Sequence, residues 1–223
     1  MQMMPLINEM KTYISLSGFD TSQIVSLMVK FGIEGNDRLV LIRPEGEEDD
    51  LRGEAAIQAI QELSRKINTT IIVDIHRVDH RDFEGMVISF IDLIRRSEGE
   101  IVVNLSGGPR EIFLALTVAA IAQASRISKT TNFSDIDRAI RDVNLPEIRI
   151  PNLIDDKLRT VLSDILENQP TTITEIARRN ALSESTVSRR INKLQDLNAV
   201  DVIAKGKSKE VRITLVGEIL LSA

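Results

Sequence analysis

The chain has 223 residues, a formal net charge of −5 and 43% hydrophobic residues, enough for one large domain or two modest ones with real cores. It has no cysteine, which excludes disulfides, thiolate zinc sites and cysteine nucleophiles. No run reaches the ~20 apolar residues of a membrane span, and the opening "MQMMPLINEMK" lacks the basic flank and apolar segment of a signal peptide, so a cytoplasmic protein with no membrane contact is expected.

In chain order, four β-branched runs with turn signals at their ends read as strands: Thr12–Ser17, Arg38–Arg43, Thr69–Ile75 and Glu100–Ser106. Between them Ile57, Ile60, Leu63 and Ile67 share one helical face, and Phe83, Val87, Ile91 and Ile94 share another. Strands separated by such helices imply right-handed crossovers and a mostly parallel sheet covered on both sides, a doubly wound α/β domain. "TTNF" and "EIRI" are candidate strands at its far edge. The acidic run Glu45–Asp50 fits a solvated loop better than a cation site. "HRVDH", His76 to His80, holds both histidines; on a helix they would share a face and suit zinc. Following a strand, they are expected in an exposed loop, and no metal or cofactor is expected.

From Asp155 the pattern becomes helical, with Leu158, Val161, Leu162, Ile165 and Leu166 on one stripe. "IPNL" is the expected joint, giving domains 1–152 and 153–223. The charge divides with them: 17 Lys+Arg against 23 Asp+Glu through Ile154 gives −6, and the remaining 11 against 10 gives +1. The second part is therefore the better nucleic-acid candidate.

Thr172 with Glu175 forms a capping box, "NALS" a tight turn, and Ser183 the cap of a second helix carrying Thr186 in its first turn. On that helix Val187, Ile191 and Leu194 face inward. Ser185, Ser188, Arg189 and Asn192 face outward, with Arg190 and Lys193 on the flanks. That is helix-turn-helix logic, with side chains able to reach base edges. Two alternating strands joined by "KGKSK" follow, a basic wing that would set Lys205, Lys207 and Lys209 against phosphates of double-stranded DNA. The bland alternative is a small dimerisation module with a solvated charged face.

The junction Ser106-Gly107-Gly108-Pro109-Arg110 lies between the fourth strand and the apolar run Ile112–Ala122. In a doubly wound sheet ligands bind beyond the carboxyl ends of strands. Two glycines let backbone approach a ligand, proline suits a first helical turn, and the helix start offers free N–H groups beside Arg110. The chemistry favoured is anion recognition, most naturally phosphate; a plain tight turn into a core helix fits the same residues. After the first strand, "SGFDTSQ" provides Gly18 for a sharp turn and Asp20, Thr21 or Ser22 as cap. Neither junction is a P-loop or a GxGxxG fingerprint. The apolar helix itself reads equally as central core or dimer seam.

"YISLSGFDTSQIVSLM", "LVLIRPE" and "VVNLSGGPREIFLALTVAA", followed by a winged helix, resemble the archaeal CRISPR-associated transcription regulators of the Csa type, which join a CARF domain to a winged helix. The resemblance is weakest across Ser128–Pro146. It implies a homodimer whose CARF domains share one pocket for a cyclic oligoadenylate, usually cyclic tetra-adenylate. Matched by position, Gly18, Phe19 and Asp20 belong to the first ligand motif and Ser106, Gly107, Gly108, Pro109 and Arg110 to the second, with Arg43 and Pro44 at the rim. The implied function is a ligand-responsive regulator at a CRISPR-locus promoter. Slow ring cleavage and a regulator of another small phosphorylated ligand are the competing readings.

Overall fold

The computed structural model describes residues 10–46, 51–143, 145, 154–205 and 208–222. The chain divides into two compact units, Met1–Glu147 and Ile148–Ala223. "EIRI", "IPNL", residues 47–50 of the acidic run, and Lys207 lie outside the described residues.

The first unit alternates β1 (Lys11–Leu16), α1 (Ser22–Phe31), β2 (Arg38–Pro44), α2 (Leu51–Ile67), β3 (Ile72–Val78), α3 (Phe83–Arg96), β4 (Glu100–Asn104), α4 (Arg110–Ala122), β5 (Lys129–Phe133) and β6 (Ile140–Asp142). The sheet order is β3-β2-β1-β4-β5-β6, with β6 antiparallel to β5 and every other pairing parallel. The Rossmann-like fold class expected from the sequence is what forms. Residues Thr12 to Leu16 of β1 are all buried, as a central strand covered on both faces must be. Ile24 and Leu27 of α1, Ile57 and Ile60 of α2, and Tyr13, Leu39, Leu41 and Val102 of the strands form one core. The Tyr13 hydroxyl donates to the Gly32 carbonyl at 2.6 Å, so its burial leaves no lone donor.

Two expectations change. The third strand starts at Ile72 rather than Thr69, because the Asn68 side chain accepts from the Thr70 N–H at 2.9 Å and its hydroxyl at 2.8 Å, holding a turn there. That strand runs on through His76–Val78, paired with Ile42–Pro44, so the first half of "HRVDH" is ladder rather than loop. His76 stacks at a tilt near Phe90 and its Nε2 lies 2.8 Å from Ser89 Oγ. Beside "TTNF" the described residues also hold an antiparallel return, Ile140–Asp142, that no sequence pattern announced.

The second unit contains α5 (Asp156–Asn168), β7 (Thr171–Thr172), α6 (Ile173–Arg179), α7 (Glu184–Asp196), β8 (Val200–Lys205), β9 (Ser208–Ile213) and α8 (Leu215–Ser222). Its antiparallel sheet has the order β7-β9-β8. Leu158, Val161, Leu162 and Ile165 of the α5 stripe are buried, whereas Leu166 at its end is 40% exposed. Arg179 donates to both oxygens of the Asp164 carboxylate at 2.8 and 2.7 Å and to Thr171 Oγ1 at 2.6 Å, fastening α6 to α5 and β7. No described helix is long and apolar enough to cross a membrane.

Candidate ligand cavity and helix-turn-helix surface

From β1 the chain builds β2 and β3 on one side, and then β4 to β6 on the other, so the strand order reverses between β1 and β4. Both glycine junctions leave the sheet there. Gly107 and Gly108 each adopt φ +68°, a left-handed conformation that side chains resist. A β-carbon on Gly108 would lie 3.1 Å from Leu16 Cβ, and one on Gly18 would lie 3.4 Å from the Gly108 nitrogen. Pro109 (φ −64°, ψ 144°) is the N-cap of α4 rather than part of its first turn, because its extended ψ steers the chain out of the left-handed pair into the helix.

The two turns border a cavity of about 540 Å³. Gly18, Phe19, Asp20, Arg43, Pro44, Gly107, Gly108 and Pro109 all line it, joined by Ser17, Gln23, Phe133 and Asp135, which sequence reasoning did not single out. Ser17, Gln23 and Arg43 are 2%, 5% and 2% exposed, so the floor is made of buried polar side chains. Gln23 Nε2 donates to the Leu16 carbonyl at 2.8 Å. The Ser17 hydroxyl has no hydrogen-bond partner among the described residues. Phe19 is 66% exposed at the mouth. Gln23 carried a readable signal, a polar residue on the inward face of an apolar helix. Phe133 and Asp135 carried none.

Ser106 and Arg110 fall outside the lining. Ser106 is buried, its hydroxyl donating to Asn104 Oδ1 at 3.1 Å and accepting from the Phe133 N–H. Asn104 in turn donates to Ser15 Oγ at 3.0 Å and accepts from Thr131 Oγ1 at 3.2 Å. This network pins the tips of β1, β4 and β5 together beneath the cavity and seats Phe133 in its wall. Arg110, the first residue of α4, is exposed. The rest of α4 buries Ile112, Ala115, Leu116 and Ala119 but leaves Leu114 54% exposed.

The N-cap position of α1 falls on Thr21, whose side chain makes no capping bond; Asp20 just before it holds the helix start, its Oδ1 accepting from the Ser22 N–H at 2.8 Å. Arg138 Nη1 lies 3.2 Å from Asp20 Oδ2, and its Nη2 donates to Ser22 Oγ. The Ser22 hydrogen bonds and then the Arg138 charge hold the Asp20 carboxyl below the usual carboxylate range.

In the second unit the capping box is complete, with Glu175 N–H on Thr172 Oγ1 at 3.3 Å and Thr172 N–H on Glu175 Oε2 at 2.9 Å. Leu182 N–H reaches the Ala177 carbonyl at 2.9 Å across Ala181, whose φ is +52°. That closes the turn between α6 and α7. Ser183 caps α7 through the Thr186 N–H at 3.2 Å, and its hydroxyl also meets those of Ser185 and Thr186. Val187, Ile191 and Leu194 are buried, and Arg189, Asn192 and Lys193 are exposed, with Ser188 half-buried. Arg190 is turned back, donating to the Lys157 carbonyl at 3.2 Å. Lys205 ends β8 and Lys209 is exposed on β9.

The architecture is that of a two-domain protein joining a Rossmann-like domain, with a cavity at its switch point, to a winged helix-turn-helix domain. The chain belongs to the family of the Csa3 CRISPR-associated Rossmann-like domain, whose model matches residues 11–133. A helix-turn-helix domain model matches residues 154–203. No curated protein matches the chain. Among solved structures, Enterococcus italicus Csm6 bound to cyclic hexa-2'-fluoro-hexa-dAMP is similar at 13% identity and TM-score 0.51, over 86% of this chain and 57% of that one. Protein VC1899 from Vibrio cholerae is similar at 12% identity and TM-score 0.47, over 95% of this chain and 64% of that one. The chain thus spans less than two thirds of either neighbour.

Proposed function

We propose that this protein is a CRISPR-associated transcription regulator that binds promoter DNA through its winged helix and senses a cyclic oligoadenylate, cyclic tetra-adenylate first among them, in a pocket shared by two copies of its CARF domain. The observation that carries this is the meeting of the Gly18 and Gly107–Gly108 turns over one cavity at the switch point. Backbone free to approach a ligand, two helix starts and the buried Arg43 suit phosphate groups. A molecular dyad repeating that cavity suits a ring with two-fold symmetry. The ring bound by Csm6 supports the ligand class.

The winged helix supplies the output. Arg189, Asn192 and Lys193 lie exposed on α7, and Lys209 on the hairpin, which suits base-edge readout beside phosphate contacts. Ligand acts on DNA affinity only through different affinities for two arrangements of the dimer. Titrating the protein into labelled CRISPR-locus promoter DNA with and without cyclic tetra-adenylate tests the reading. A shifted midpoint supports it; identical midpoints reject the coupling. Calorimetry with rings of several sizes, on wild type and Arg110→Ala, then tests the ligand and the role of Arg110.

A further inference from the structure

The cavity has an electrostatic problem as an anion site. Of its charged lining residues, Arg43 is cationic whereas Asp20 and Asp135 are anionic, so the lining is formally −1. A phosphate entering there faces the Asp20 carboxylate, which is exposed and whose lowered proton affinity keeps it charged at neutral pH. Something must offset that charge.

Arg138 is placed to do so. It lies on the loop between β5 and β6, which folds back through Ser134 N–H on the Ala139 carbonyl and Arg138 N–H on the Ser134 carbonyl, each 2.9 Å. Its guanidinium stands between two lining residues, 3.2 Å from Asp20 Oδ2 and 5.7 Å from the centre of the Phe133 ring. The Asp20–Arg138 pair is 58% exposed on both sides, and an ion pair so open to water adds little to stability. Arg138 also holds φ +57°, unfavourable for a side-chain-bearing residue. Stabilising the fold is therefore a poor account of this arrangement.

We propose that Arg138 is a phosphate-contacting residue of the cavity, held by Asp20 until the ligand's phosphate takes over its guanidinium. This rests on the anion-binding reading of the cavity given above. Asp20 then acts as a placeholder that makes Arg138 wait at the mouth and weakens binding of any ligand unable to displace it. A guanidinium swaps one oxyanion for another without being left unpaired, which keeps the exchange cheap.

Binding of cyclic tetra-adenylate and, separately, of inorganic tripolyphosphate is measured by calorimetry on wild type, Arg138→Gln, Asp20→Asn and the double variant. Thermal melts of each check folding. Arg138→Gln is expected to weaken binding about tenfold or more and to flatten its dependence on salt. Asp20→Asn is expected to tighten it about threefold to tenfold, and only while Arg138 is present. Equal affinities across the set, or a loss in Asp20→Asn matching that in Arg138→Gln, overturns the inference while leaving the ring reading standing. The expected order with tripolyphosphate but no binding of the ring supports Arg138 and overturns the ring. Binding of neither probe by wild type overturns both.

Discussion

A β-carbon placed on Gly18 would stop 3.4 Å from the main-chain nitrogen of Gly108, so turns ninety positions apart touch through bare backbone. That distance is ordinary van der Waals contact, so the two turns pack directly against each other. It is what lets the tips of β1 and β4 present their N–H groups to one cavity.

Gly107→Ala should damage this corner twice. Its β-carbon would need φ near +68° and would fall 2.4 Å from Gln23 Nε2, forcing Gln23 off the Leu16 carbonyl. The left-handed conformation and the lost buried hydrogen bond together predict destabilisation of about 2–4 kcal/mol. Urea denaturation of the variant measures the loss, and ring binding should weaken with it.

Asn104→Ala removes the hub of a fully buried network: the Ser106 and Thr131 hydroxyls lose their acceptor and Ser15 loses a donor, while Ser106 still accepts from the Phe133 N–H and Ser15 still donates to the Leu16 carbonyl. Each buried hydroxyl left without an acceptor costs about 1–3 kcal/mol when no water reaches it. The expected outcome is a clear drop in the melting temperature of the first unit, larger than for Ser106→Ala. A Ser106→Ala protein that is less stable yet binds ligand normally would show that Ser106 serves the fold and does not touch phosphate.

Tyr13 is the one tyrosine, and tryptophan is absent, so phenolate absorbance reports on it alone. Burial first, then the Asp37, Glu100 and Glu34 carboxylates, push its phenol well above the ordinary value. A raised folded pKa means its contribution to stability is complete below the unfolded value of about 10 and is lost as pH rises above it. Alkaline titration should therefore show no phenolate until the first unit unfolds, and Tyr13→Phe should lessen the loss of stability at high pH.

On the DNA side, Arg189→Ala is expected to cost about 1–3 kcal/mol on the cognate operator and little on random DNA, as for a base-edge contact. Lys209→Ala should weaken both about equally and lower the salt slope by about one for each protomer. Arg179→Ala differs in kind. Its guanidinium is committed to Asp164 and Thr171, so the helix-turn-helix itself should lose stability. Anisotropy titrations at several salt concentrations, with a melt of each variant, separate these outcomes.

Most elements could be read from the chain because their determinants are local. Thr172 and Glu175 sit three apart, the spacing of a reciprocal cap, and the inward stripe of Val187, Ile191 and Leu194 needs only helical period. The glycine pair advertised a turn for the same reason. Where neighbours in sequence did not decide, expectations slipped: His76–Val78 became strand because β2 offered ladder partners. Ser106 went inward because Asn104 and Phe133 claimed its hydroxyl.

By itself, then, the sequence determined the doubly wound domain, the helix-turn-helix with its wing, and the residues of both glycine turns. Their causes are periodicity, caps and backbone freedom, all of which act over a few residues. Only the tertiary structure decided that Gly18 and Gly108 close on one another, that Ser17, Gln23 and Phe133 complete the wall, and that Arg138 reaches Ser22 across 116 positions to stand beside Asp20. Those pairings follow from strand order in the sheet, a long-range property that local sequence pattern does not carry.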